Sequence, residues 1–120
     1  MFINLSNHPS TLWGTEQTNA AKAYGNIMDI PFPVVDPNGD EAYIKNLADE
    51  YSQKVTETAN SQTIVVHVMG EMTLTFALVT KLRNAGIKCV ASTTERTIQQ
   101  HPDGRKESVF RFIGFREYLW

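Results

Sequence analysis

The sequence predicts a three-layer, Rossmann-like α/β domain whose sheet is mostly parallel and ends in an antiparallel hairpin. Three observations carry that prediction. Short apolar runs alternate with helical patterns along most of the chain. The run Thr63–Met69 is almost continuously apolar (Ile64, Val65, Val66, Val68), as in a strand covered on both faces. The end changes character: His101-Pro102-Asp103-Gly104 has proline second and glycine fourth, as a tight turn prefers, and Val109–Phe115 then alternates as a strand does.

The elements follow in order. Met1–Leu5 reads as a strand, stopped by the polar cluster Ser6-Asn7-His8-Pro9-Ser10. Thr11–Tyr24 reads as a helix, with Leu12, Trp13, Ala20, Ala21 and Tyr24 near one face and Gly25 as its stop. Ile27–Phe32 is a second strand, ended by Pro31 and Pro33, which cannot continue an interior ladder. After a loop over Val34–Gly39, Asp40–Thr58 is the longest helix. Its apolar residues recur at helical spacing, and Asp40 and Glu41 suit its positive end. Thr63–Met69 is the third strand. Glu71–Ala85 is a helix stopped by Gly86, and Ile87–Ala91 a fourth strand. Thr94–Gln99 and Lys106–Phe115 form the hairpin.

A chain of 120 residues fits one domain, 1–120, with no boundary for a second. A 42% hydrophobic and 20% charged composition excludes wholesale disorder. The net charge of -2 argues against a general duplex-DNA binder, which carries a basic footprint. The charge is uneven: residues 1–60 hold eight acids and three bases, residues 61–120 five acids and eight bases, including all five arginines. A phosphate ligand is therefore sought in the second half. The single cysteine, Cys89, sits in an apolar run and reads as a structural thiol. No metal-ligating spacing is present and no cofactor is implied. No signal sequence opens the chain and no run approaches the roughly 18 apolar residues of a membrane span, so the expected location is the cytoplasm.

In an open parallel sheet, ligands bind beyond the carboxyl ends of the strands. That rule selects Ser6, Asn7, His8 and Ser10; Gly70, Glu71, Met72 and Thr73; and Ser92, Thr93, Thr94, Glu95 and Arg96. Gly70 admits close approach of an anion to the start of the following helix; it equally fits a tight turn in which Glu71 satisfies the helix dipole. Ser92, Thr93 and Thr94 can donate hydroxyls to phosphate or ribose, with Arg96 supplying a charge, a reading favoured by where the fold puts ligands; the alternative is that the threonines are strand formers and Arg96 a solvated charge. His8 is placed for acid–base work or is a turn histidine. His67, inside the third strand, reads as a core histidine with one hydrogen bond, and His101 as an exposed turn residue. Trp13, Phe32 and Trp120 suit base stacking but more commonly pack a core or interface. Arg111, between Phe110 and Phe112, marks a basic aromatic surface or a dimer edge.

Three stretches carry a family resemblance: Val65-Val66-His67-Val68-Met69-Gly70-Glu71-Met72-Thr73, Gly86-Ile87-Lys88-Cys89-Val90-Ala91-Ser92-Thr93-Thr94-Glu95-Arg96, and Phe110-Arg111-Phe112-Ile113-Gly114-Phe115-Arg116-Glu117-Tyr118. Together with Ser6-Asn7-His8 after the first strand, they resemble the small CRISPR-associated proteins built as a single CRISPR-associated Rossmann-fold (CARF-like) domain, which accompany type III CRISPR systems. The strand–Thr-Thr-x-Arg segment and the aromatic tail are the most specific part, while residues 11–60 match only in character. Several such proteins are ring nucleases, which bind and cut cyclic oligoadenylate messengers.

The resemblance implies a homodimer holding a cyclic oligoadenylate, foremost cyclic tetra-adenylate, across its two-fold axis. It implies metal-independent cleavage, in which a ribose 2′-hydroxyl attacks the neighbouring phosphorus and leaves a 2′,3′-cyclic phosphate. On this reading Arg96, Thr93 and Thr94 stabilise charge, His8 or Glu71 moves protons, and Arg116 joins the ligand-binding set. Three alternatives stand beside it: a module of the same fold that binds without cutting, a small α/β enzyme acting on a nucleotide or phosphate ester, and a structural interaction subunit.

Overall fold

The computed structural model describes residues 1–119. Five strands form one sheet: β1 (Phe2–Ser6), β2 (Ile27–Pro31), β3 (Val65–Met69), β4 (Lys88–Gln100) and β5 (Lys106–Glu117). Their order across the sheet is β2-β1-β3-β4-β5. The first four are parallel, and β5 runs antiparallel to β4 at the edge. The helices are α1 (Thr15–Lys22), α2 (Glu41–Ala59) and α3 (Met72–Asn84). This is the α/β architecture that the alternating pattern predicts.

Side chains alternate across each strand. Ile3, Leu5, Val66, Val68 and Cys89 face α2 and α3, where they pack with Val55, Leu74, Leu78 and Leu82. Phe2, Val65 and Val90 face the other way, against Trp13 and Ala21. All five residues of β1, the middle of the parallel part, are buried. The long helix α2 starts where Asp40 Oδ1 accepts from Tyr43 N at 2.9 Å, and it stops at Asn60, whose φ of 45° breaks the helix.

Two elements depart from the sequence reading, and both departures build the site. The first helix is shorter than Thr11–Tyr24: a 3-10 turn covers Ser10–Leu12, Trp13 is extended (ψ 148°), and Gly14 precedes a helix of eight residues. An unbroken helix would have carried Trp13 on its own surface; the break turns Trp13 onto the sheet, where it is 8% exposed.

The second departure is in β4. The predicted fourth strand, Ile87–Ala91, and first hairpin arm, Thr94–Gln99, are one strand, so Ser92 and Thr93 lie within a ladder and the cluster Ser92–Arg96 does not stand past a strand end. β3 accompanies β4 only from Lys88 to Val90. Beyond that, β4 is carried by β5, which pairs with it from Val90 to Gln100. The predicted turn at His101–Gly104 joins the two arms: Gly104 N donates to His101 O at 3.0 Å, and Gly104 takes a φ of +87°. A bulge interrupts the pairing. Thr93 faces Gly114 but Thr94 faces Phe112, leaving Ile113 as the extra residue.

Candidate functional site

A row of polar residues crosses the sheet on the α1 face. Asp29 on β2, Asn4 on β1 and His67 on β3 are register partners on neighbouring strands. Ser92 stands two residues beyond Val90, the partner of His67 on β4. The row is joined by hydrogen bonds. Asn4 Nδ2 donates to Asp29 Oδ1 (3.2 Å) and to the His8 carbonyl (3.0 Å). Asn4 Oδ1 lies 2.8 Å from His67 Nδ1 and 2.7 Å from Ser6 Oγ, which donates to it. His67 Nε2 lies 3.2 Å from Ser92 Oγ. Asp29 Oδ2 also accepts from Ser10 N and Ser10 Oγ, tying the 3-10 turn to the row.

These contacts fix proton positions. A carboxylate and a carbonyl can only accept, so the Asn4 amide must turn its NH2 toward Asp29 and His8 and its oxygen toward His67. An amide oxygen needs a donor, so His67 carries its proton on Nδ1. Burial at 2% exposure pushes the imidazole pKa down to about 4, with repulsion from His8 a smaller cause. His67 is therefore neutral at physiological pH, and its Nε2 lone pair points at Ser92.

Above this row lies a cavity of about 590 Å³. That volume falls within the range of small-molecule sites, about 300–1,000 Å³. Its floor is formed by Ser6, His67, Met69 and Ser92, and its walls by Trp13, Phe110 and Phe112. The bulge is what sets Phe112 opposite Thr94, bringing the hairpin aromatics over the ends of the parallel strands. The rest of the aromatic set packs beneath: Phe115 lies 4.9 Å from Phe2 and 5.0 Å from Phe112, centroid to centroid. No lysine or arginine lines this cavity. Its rim carries Glu16, 3.5 Å from the Arg111 guanidinium. The Trp13 Nε1–H is buried without a hydrogen-bond partner among the described residues.

The site residues expected from sequence divide into three groups. Ser6, Asn7, His8, Ser92 and Thr94 line this cavity, the first three at the end of β1 and the last two from within β4. Ser10 lies beneath its edge, held by Asp29. The second group sits at the α3 end of β3. Gly70 and Met72 border a separate, mainly apolar cavity of about 360 Å³ with Phe76 and Tyr118. Gly70 is required by packing, because a Cβ there would lie 2.5 Å from the Phe32 ring. Phe32 thereby packs on the α2–α3 core.

Glu71 is the N-cap of α3. Its carboxylate accepts from Thr73 Oγ1 and from the backbone N–H groups of Thr73 and Leu74. The Thr73 hydroxyl bond first, and then the two backbone bonds, hold its pKa below the usual carboxylate range. The third group lies on the hairpin and does not line the cavity. Thr93 Oγ1 donates to the Gly114 carbonyl, and the Arg96 guanidinium donates to Ser108 Oγ at 2.9 and 3.2 Å. Arg116 is exposed on β5 opposite Ala91. Trp120 lies outside the described residues.

Asn4, Asp29 and His67 are the members of the polar row that the sequence reading did not assign to the site, and Met69, Phe110 and Phe112 are cavity residues it did not assign. The signal is faint but present. Asn4 and His67 are single polar interruptions at the centres of two buried apolar strands, and the parallel register sets them side by side. Elsewhere burial raises the Cys89 thiol pKa to about 11, so this cysteine is an inert core group. Among the described residues, no group of three or more His, Cys, Asp or Glu side chains is placed to hold a metal ion, and no helix is long and apolar enough to cross a membrane.

No curated protein and no solved structure matches the chain. One family model does, over residues 1–116, which is nearly the whole chain and includes every residue of the polar row and the cavity. The chain thus belongs to the Uncharacterized protein MJ1673 family.

Proposed function

We propose that this chain binds a cyclic oligoadenylate, foremost cyclic tetra-adenylate, with a nucleotide of the ring in the cavity beyond β1 and β3. The observation that carries the reading is the cavity itself. It joins aromatic walls suited to a base with a polar floor, at the strand ends where open α/β sheets bind ligands. Its volume suits one part of such a ring, so a symmetric ring is shared between two protomers. The rim and hairpin arginines, Arg111 and Arg96, are free to meet phosphates outside the cavity once their exposed partners are displaced. The resemblance to single-domain CARF-like proteins supports the same ligand class.

Cutting of the ring is the second reading. Of the three side chains suggested for proton transfer and charge stabilisation, His8 lines the cavity, whereas Glu71 caps α3 and Arg96 holds Ser108. Binding thus rests on more of the molecule than cleavage does. His8 keeps cleavage in view, as an exposed imidazole at the cavity mouth able to move the 2′-hydroxyl proton.

One experiment addresses both readings. Purified protein is incubated with cyclic tri-, tetra- and hexa-adenylate in excess chelator, and protein and nucleotide are resolved by chromatography. Intact ring travelling with a dimer is the expected result. Linear adenylates ending in 2′,3′-cyclic phosphate establish the ring nuclease. If no ring is held or cut, the cyclic-oligoadenylate reading falls.

A further inference from the structure

Every acidic proton on the cavity floor has a taker within the protein. The Ser92 hydroxyl has two neighbours in reach, His67 Nε2 at 3.2 Å and Met69 Sδ at 2.9 Å. Both are acceptors, since the proton of neutral His67 sits on Nδ1 against the Asn4 oxygen. Whichever of the two takes the Ser92 proton, the hydroxyl turns its lone pairs, and not its hydrogen, toward a ligand. Ser6 behaves likewise: its Oγ donates to Asn4 Oδ1 or the His8 carbonyl and accepts from His8 N. A phosphate oxygen has no use for such a floor, because acceptor would meet acceptor. A ligand group that donates is what fits.

Resting on the reading of a cyclic oligoadenylate as ligand, we infer that Ser92 is a base-reading residue, accepting a hydrogen bond from the exocyclic amine of an adenine held among the cavity aromatics. The amine is favoured over a ribose hydroxyl by what surrounds Ser92. On β5, its register partner is Phe115, and Phe112 stands opposite the next cavity-lining position, Thr94. Phe115 packs beneath, and the rings that line the cavity, Trp13, Phe110 and Phe112, suit the flat face of a base and offer a sugar or phosphate few partners. Specificity follows from polarity. A base with a carbonyl in place of the amine sets its lone pairs against those of Ser92, and a base with hydrogen there leaves Ser92 unsatisfied. Asn4 and Asp29 act at a distance, as positioning residues that fix the proton on His67 Nδ1.

The test pairs a protein change with a ligand change. Affinities are measured by calorimetry for cyclic tetra-adenylate and for the same ring with purine in place of adenine, which lacks only the amines. Wild-type protein is expected to bind the purine ring about 30-fold more weakly, the size of two lost hydrogen bonds, one to Ser92 of each protomer. Ser92→Ala is expected to bind both rings within about 2-fold of each other, at the weaker affinity. The wild-type comparison needs no variant, so it stands even if the substitution disturbs the fold. Equal affinity of wild type for the two rings, or an unchanged preference in Ser92→Ala, overturns the assignment. Failure of wild type to bind either ring instead overturns the underlying ligand reading, and the assignment falls with it.

Discussion

The two faces of the sheet are built to different standards. Toward α2 and α3, the inward residues of β1 and β3 are Ile3, Leu5, Val66 and Val68, all fully buried, and the helices answer with Leu74, Leu78 and Leu82. Toward α1, the alternate residues of the same strands are Phe2, Asn4, Ser6, Val65, His67 and Met69, covered by one helix of eight residues and a tryptophan. One face gains stability by removing apolar surface from water, the other buries a row of polar side chains that satisfy one another by hydrogen bonds. The period of two along a strand makes this possible, since adjacent residues serve unlike layers.

The largest expected effect lies on the apolar face. Leu78 on α3 is fully buried in the larger core cluster. Leu78→Ala is expected to lower unfolding stability by about 2–5 kcal/mol, from lost transfer energy and the cavity left behind. Urea denaturation reads the loss directly. Ligand affinity of the folded protein should be unchanged, because the residue lies across the sheet from the polar row. A loss of affinity matching the loss of stability would mean that the two faces are not separable.

The polar face should betray itself through pH. His67 titrates near 6.5 when unfolded and near 4 when folded. Between those values the unfolded chain binds a proton that the folded chain refuses, so stability is complete above pH 6.5, falls as the pH drops toward 4, and levels below that. From pH 7 to pH 5 the expected loss is about 2 kcal/mol. His67→Gln removes the proton site and is expected to flatten this part of the profile, whatever its effect at pH 7. Glu71 and Asp49, whose pKa values are lowered, lose their contribution further down, as the pH falls through the carboxylate range, so the slope between pH 7 and pH 5 belongs to His67. An identical slope in His67→Gln would show that the buried imidazole is not the source.

The same contrast explains what could be read from sequence. The apolar face was legible because Ile64–Val68 and the helical spacing of α2 and α3 are long, repeated patterns of one property. The hairpin was legible because Pro102 and Gly104 fix a turn by their backbone preferences. The site was legible in part: the strand-end rule finds Ser6, Asn7 and His8, whose positions follow from where β1 stops. It does not find Asn4, Asp29 and His67, because their meaning comes from the register between strands far apart in sequence. Trp13 was hidden by its neighbours, whose helical pattern runs through the break at Gly14. Ser92 and Thr93 read as a break between two strands because β4 continues past the end of β3 only with the support of β5.

The smallest expected effect separates capping from chemistry at Glu71. The carboxylate closes the start of α3 by accepting from Thr73 and Leu74 N–H groups, which would otherwise lack intrahelical partners. Its side chain is exposed, so solvent replaces much of what a substitution removes. Glu71→Ala is therefore expected to lower the melting temperature by on the order of a few degrees, as loss of an N-cap does in a domain of this size. Glu71→Asp, which keeps an acceptor at the cap, should restore most of it. Neither variant is expected to change ring affinity or any ring cleavage, since Glu71 belongs to the helix start and not to the aromatic cavity. The pH windows also differ, although both groups lose stability as the pH falls: the contribution of Glu71 is present above the ordinary carboxylate pKa and lost as the pH falls through its lowered folded value, below the range in which His67 acts. A cleavage rate that collapses in Glu71→Ala while the melting temperature holds would move the chemistry to the α3 end of β3, and would make the apolar cavity beside Gly70 the place where the ring is cut.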